Sequence, residues 1–159
     1  MASLQRVSIP CAVLERGFWL YVCEIETAEG HTLLYIGRTG DSSSANASSP
    51  LNRIGQHLGF NKNSNALRRQ LKHLNIAPES CLRIEMTAYG PLFSEKSGTD
   101  EHNPLRDKVA ALEKALCDSL GRAGYTVLNC VNCRKRLDES LWQKVREVFA
   151  ERFPELNSR

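Results

Sequence analysis

The stretch "TLLYIGR", Thr32 to Arg38, follows "FWLYVCEIET", Phe18 to Thr27, across the turn-like "AEGH". Both runs are rich in aromatic and β-branched residues, so the pair predicts a β-hairpin. Side chains alternate across a strand, so Tyr21 and Cys23 share one face of the first strand and Tyr35 and Gly37 share one face of the second. Whether the two tyrosines meet depends on register.

Downstream of the hairpin, "DSSSANASS", Asp41 to Ser49, is a low-complexity polar loop. A helix is expected straight after it, with Ser49 as N-cap, Pro50 at the first helical position and Gly59 as the stop. Leu51, Ile54 and Leu58 form its apolar stripe, and Arg53 and His57, four apart, project from one face. A second helix, "NALRRQLKHLN", capped by Ser64, packs Leu67, Leu71 and Leu74 inward and turns its basic residues out. Cys81 to Tyr89 alternates as a third strand, and residues 90–103 read as a loop. Pro104 then opens a helix with Leu105, Val109, Leu112, Leu116 and Leu120 in one stripe. Glu113 falls just off that stripe, beside Val109, Leu116 and Cys117, and so borders the core. "YTVLNCVN" reads as a short strand or extended segment, and Asp138 to Phe153 as a closing helix stopped by Pro154.

The chain has 159 residues, 42% hydrophobic and 25% charged, which suits one soluble domain over residues 1–159 with a single core. No apolar run approaches about 18 residues, so no membrane partner is expected. Pro10 and Glu15 interrupt the N-terminal apolar segment, which does not read as a secretory leader. Six cysteines are scattered through predicted strands and helices, pointing to a reducing cytoplasmic setting. The net charge of +3 permits a polyanionic partner, and the cations cluster at Arg68, Arg69, Lys72 and His73 and again at Arg134 to Arg136.

Taken in order, "WLY" (Trp19 to Tyr21), "YIG" (Tyr35 to Gly37) with Arg38, "NRIGQHL" (Asn52 to Leu58), "ALEKAL" (Ala111 to Leu116) and "VLN" (Val127 to Asn129) resemble the GIY-YIG nuclease family. The resemblance spans residues 17–131, with the 138–153 helix added behind it. It implies an α+β fold with a small central three-stranded antiparallel sheet flanked by helices, and Mg²⁺- or Mn²⁺-dependent cleavage of DNA phosphodiesters. It casts Glu113 as metal ligand and Arg53 as phosphate-binding arginine. Tyr21 and Tyr35 match the two motif tyrosines, His57 a position filled by His or Tyr, and Asn129 the late asparagine, with Asn132 the other candidate. Gly37, Arg38, Arg68, Arg69 and Lys72 are candidate substrate contacts. "WLY" departs from the family pattern by losing its glycine, and the serine-rich loop before Arg53 is long.

The residue types suit the reaction independently. A cation held by one carboxylate and its own waters stabilises developing charge on a phosphate, and an arginine fork binds phosphate oxygens at any working pH. Of Tyr21, Tyr35 and His57, a tyrosine is favoured as base, with His57 relaying the proton or competing for the role. A phenol, ordinarily near pKa 10, needs cationic neighbours such as Arg38 or Arg53, whereas an imidazole does not. On this reading both tyrosines lie on one sheet face with Arg53 and Glu113 across a shallow groove. Oligomeric state is open, a dimer being suited to double-strand cleavage. Two rival classes stand beside it: a non-catalytic nucleic-acid-binding or protein-interaction module that retains the fold, and a zinc-stabilised domain built on Cys130 and Cys133, whose spacing alone lacks two ligands.

Overall fold

In the computed structural model, which describes residues 1–158, β1 (Gly17–Glu26) and β2 (Thr32–Arg38) form the antiparallel hairpin. Its register sets Tyr21 opposite Gly37 and Cys23 opposite Tyr35. β3 (Arg83–Ser94) pairs antiparallel with the other side of β1, giving the order β2-β1-β3. Four helices flank this sheet: α1 (Pro50–Leu58), α2 (Ala66–His73), α3 (Thr99–Arg122) and α4 (Glu139–Ala150). The architecture is therefore α+β around a three-stranded antiparallel sheet. No helix among the described residues is long and apolar enough to cross a membrane.

Strand alternation divides the core in two. Phe18, Leu20, Val22, Leu34 and Ile36 face α3 and α4 and pack with Val109, Leu112, Leu116 and Phe149. Tyr21, Cys23, Ile25, Leu33 and Tyr35 face α1 and α2 and pack with Ile54, Leu67 and Leu71. Each large side chain so buried contributes about 1.5–3 kcal/mol. The sheet is thus apolar on both faces, with Tyr21 and Tyr35 on the α1/α2 face and Tyr89 on the other.

Several boundaries differ from the sequence expectation. β3 runs five residues past Tyr89, through Gly90 and Pro91, which in sequence read as strand breakers. A bulge accommodates them, since Phe18 pairs with Phe93 and Leu20 with Tyr89, leaving Trp19 opposite three residues. β3 is also an edge strand, where a missing N–H is tolerated. Helix α3 starts at Thr99, with Pro104 inside it. His102, fully buried, holds that first part of the helix by packing on Phe18 at 5.0 Å and placing Nε2 3.1 Å from the Ser42 carbonyl. Asn65, not Ser64, precedes α2, and Leu74, its C-terminal cap, is exposed rather than packed inward. Helix α4 ends at Ala150, short of Phe153. The Ser49 cap and Gly59 stop of α1 are as expected.

The outer edge of β2 is closed by the segment after α3. Leu34 N–H donates to Thr126 O, and Leu128 N–H donates to Leu34 O, both at 2.8 Å. One step further along, the side chain of Asn129 takes over: Ile36 N–H donates to Oδ1 at 3.0 Å and Nδ2 donates to Ile36 O at 2.7 Å. An amide side chain thus continues the ladder where the backbone turns away. Asn129→Ala leaves both groups of Ile36 unpaired in a half-buried place, so it should cost about 1–3 kcal/mol in urea unfolding. A loss under 0.5 kcal/mol would mean that water satisfies the edge equally well.

Candidate active site

The site is built where β2 ends. Tyr21 projects from β1 onto Gly37, and a Cβ on Gly37 would lie 2.4 Å from the Tyr21 ring. Only glycine admits the ring there. Tyr35, diagonal to Tyr21 on the same face, lies 7% exposed against 0% for Tyr21. Helix α1 crosses above them and lowers His57 onto both rings. Its Nε2 is 2.6 Å from the Tyr21 hydroxyl, and its ring meets Tyr35 edge-on at 5.1 Å.

Burial, then the charge of Arg53, lowers the His57 pKa to about 4, so the imidazole is neutral at pH 7. Burial raises Tyr21 well above the ordinary phenol value, opposed by Arg53. Tyr35 is likewise raised by burial and then by Glu113, again opposed by Arg53. With both partners neutral, one proton lies between them: either the Tyr21 hydroxyl donates to Nε2 and the imidazole proton sits on Nδ1, or Nε2–H donates to the hydroxyl oxygen. That Nδ1 is buried without a partner among the described residues.

Two ion pairs border the rings. Arg53 Nη2 sits 2.5 Å from Asp41 Oδ2, while its Nη1 donates to Gln56 Oε1 at 3.2 Å. Arg38 Nε donates to Glu113 Oε2 at 2.8 Å, in a pair whose side chains are 16% and 14% exposed. Burial raises the Glu113 pKa, countered by Arg38. Each arginine also holds a buried nitrogen, Arg38 Nη1 and Arg53 Nε, with no partner among the described residues. Such orphans cost about 1–3 kcal/mol apiece, so the cluster is not arranged for stability. A cleft opens beside Arg53, lined by Asp41, Ser48, Asn52 and Gln56.

The structure brings together Tyr21, Tyr35, Arg53 and His57 on one face, with Gly37 beneath. Glu113 requires a correction. Helix α3 packs on the opposite face, so Glu113 does not stand across a one-sided groove; it reaches the end of β2 through Arg38, close enough for its charge to act on Tyr35 and Tyr21. Asn129 is occupied by the Ile36 backbone and acts on the site through β2. Arg69 and Lys72 are exposed on α2, whereas Arg68 is engaged with Leu58 O and Glu79. Asp41 and Gln56, which tie down Arg53, were hidden in sequence by a serine-rich loop and a helix face.

No group of three or more His, Cys, Asp or Glu among the described residues could hold a metal ion. Cys130 and Cys133 therefore have no ligand set for zinc. Glu113 fits a different kind of cation: Oε2 is bonded to Arg38 and Oε1 makes no hydrogen bond among the described residues, which suits Mg²⁺ retaining most of its own waters.

His57 also makes fold stability depend on pH. Its folded pKa of about 4 lies below the ordinary 6.5, so the unfolded chain binds the proton more readily between those values. The contribution is complete above pH 6.5 and is lost as pH falls toward 4, amounting to roughly 3 kcal/mol. Urea unfolding from pH 7 to 4 should lose less stability in His57→Phe than in the wild type by about that amount, and identical slopes would overturn the assignment. Compared with known proteins, the chain matches no family model, no curated protein and no solved structure.

Proposed function

We propose that the protein is a divalent-metal-dependent endonuclease of GIY-YIG type that hydrolyses DNA phosphodiester bonds. One observation carries the reading: a neutral histidine hydrogen-bonded to a buried tyrosine that lies within electrostatic reach of Arg53 and of Glu113, a carboxylate whose second oxygen has no hydrogen-bond partner among the described residues. A module that only binds nucleic acid gains nothing from a buried imidazole held unprotonated.

In this reading a scissile phosphate enters beside Arg53 and replaces Asp41 on its guanidinium fork, since both anions compete for the same donors. Arg53 Nε, unpartnered in the free protein, is a further donor for a phosphate oxygen. Glu113 would hold a hydrated Mg²⁺ or Mn²⁺, which would supply charge stabilisation for the phosphoryl oxygens and the leaving oxygen. The attacking water forms the new P–O bond as the P–O bond to the leaving oxygen breaks, and its proton passes toward His57. Neither phenol ionises alone at neutral pH, because burial raises both. His57 is the unprotonated acceptor, its charged form disfavoured by burial and Arg53 until a phosphate is bound, and Tyr21, hydrogen-bonded to Nε2, is the conduit. Tyr35, the more exposed ring, orients His57 by edge contact.

Supercoiled, branched and single-stranded DNA incubated with Mg²⁺ or Mn²⁺ test the assignment. The wild type should cut at least one of them, and Glu113→Gln and Arg53→Ala should lose at least about 100-fold. If none is cut, or the variants cut equally well, the chain is a binding module on the same fold. Because Tyr21 and His57 act as one unit, the Tyr21→Phe/His57→Asn double variant should be no slower than the worse single one, whereas multiplicative losses would separate their roles. Asp41→Asn removes the competitor for Arg53, so metal-free DNA affinity should rise about 2- to 5-fold, the scale of a partly exposed ion pair. Unchanged or weaker binding would show that Asp41 does not occupy the phosphate position.

A further inference from the structure

Phe60 follows the glycine that ends α1 and is 81% exposed, an unusual position for a phenylalanine. Its ring is not loose. The Arg68 guanidinium lies over it, 4.3 Å from the centroid. Arg68 is fixed in turn by two bonds, Nε donating to Leu58 O at 2.7 Å and Nη2 pairing with Glu79 at 2.7 Å. One face of the ring is therefore backed by a planar cation, and the ring's exposure leaves the rest of it to solvent. Lys62, Arg69, Lys72 and His73 are exposed on the same loop and helix, and the nearby acid, Glu79, is taken up by Arg68.

We propose that Phe60 and Arg68 form a stacking platform for an unpaired nucleobase, making a single-stranded or locally unpaired DNA segment the preferred partner of this protein. The inference rests on the nuclease reading and names its substrate class. A flat aromatic face backed by one cation, with further basic residues exposed on the same loop and helix, suits both halves of a nucleotide: the base stacks and the phosphate is neutralised. Arg68, expected from sequence to contact phosphate, instead braces the ring. Bases inside a duplex are stacked on both sides, so only an unpaired base can present a face to Phe60. From Arg53 to the end of α1 at Leu58 the helix rises about 7.5 Å at 1.5 Å per residue, and Phe60 follows two residues later.

The experiment measures binding in EDTA, without metal, so that it does not depend on cleavage. Oligonucleotides carrying 2-aminopurine in a single strand, in a bulge and in a full duplex are titrated with the wild type, Phe60→Ala and Phe60→Trp. The wild type should bind the single-stranded and bulged forms more tightly than the duplex and quench the probe. Phe60→Ala should weaken binding to unpaired forms roughly 5- to 100-fold, the range for losing one base–aromatic stack, with duplex binding unchanged. Phe60→Trp should restore both affinity and quenching. Equal losses on all three DNAs, no loss at all, or failure of tryptophan to rescue would each overturn the platform. If Phe60→Ala leaves all DNA binding intact while the wild type cuts DNA, the exposed ring serves a protein partner and the nuclease reading stands alone.

Discussion

The Tyr21 ring can lie across β2 only because position 37 carries no side chain. That one close approach sets the hairpin register, since Gly37 must stand opposite Tyr21 for the ring to have room. A slip of β2 by one residue would place Ile36 or Arg38 beneath the ring and turn Tyr35 to the opposite face from Tyr21. With the register held, Tyr35 lands on the same face, and His57 descends from α1 between the two phenols. The site is therefore a consequence of strand pairing rather than of loop conformation. Asn129 reinforces the same strand from its other edge by completing the hydrogen bonds of Ile36, the neighbour of Gly37.

Around this rigid centre the charges are balanced but not fully satisfied. Arg53 and Glu113 each have a partner in the free protein, yet Asp41 stands on a partly exposed loop and Glu113 keeps one oxygen free of protein hydrogen bonds. Burial disfavours every ionised group here: it lowers His57 and raises Tyr21, Tyr35 and Glu113. An incoming phosphate and cation would carry charges opposite to those of Arg53 and Glu113. The unpartnered nitrogens of Arg38 and Arg53 are then unspent donors, whose cost to folding is offset when a ligand is bound.

What the sequence made legible follows from locality. The hairpin, the Ser49–Pro50 start of α1, the Gly59 stop and the shared face of Arg53 and His57 depend on neighbours within a few residues, and these hold in the fold. The features that escaped depend on distant partners. β3 continues through Gly90 and Pro91 because Trp19, on β1, absorbs the irregularity. α3 begins before Pro104 because buried His102 packs on Phe18. Glu113 borders the core as its helical phase requires, but that phase could not reveal that α3 lies across the sheet from the tyrosines. Asp41 and Phe60 each follow a glycine, and their partners Arg53 and Arg68 come from the helices that follow them.

The two faces of the sheet consequently do different work. The α3/α4 face is an apolar core into which His102 is the buried polar insertion, and Leu112 and Leu116, the neighbours of Glu113 on α3, belong to it. The α1/α2 face mixes aromatic packing with a buried hydrogen bond, and its helices carry the cations. Glu113 reaches the end of β2 through its pair with Arg38. Had the acid risen from α1 or α2, it would have lain beside Arg53 on the same face, where the two would pair directly and leave neither for a ligand. Bringing it from across the sheet and giving it Arg38 as its own partner keeps Arg53 and Glu113 apart, so that each retains a polar atom for something other than the other.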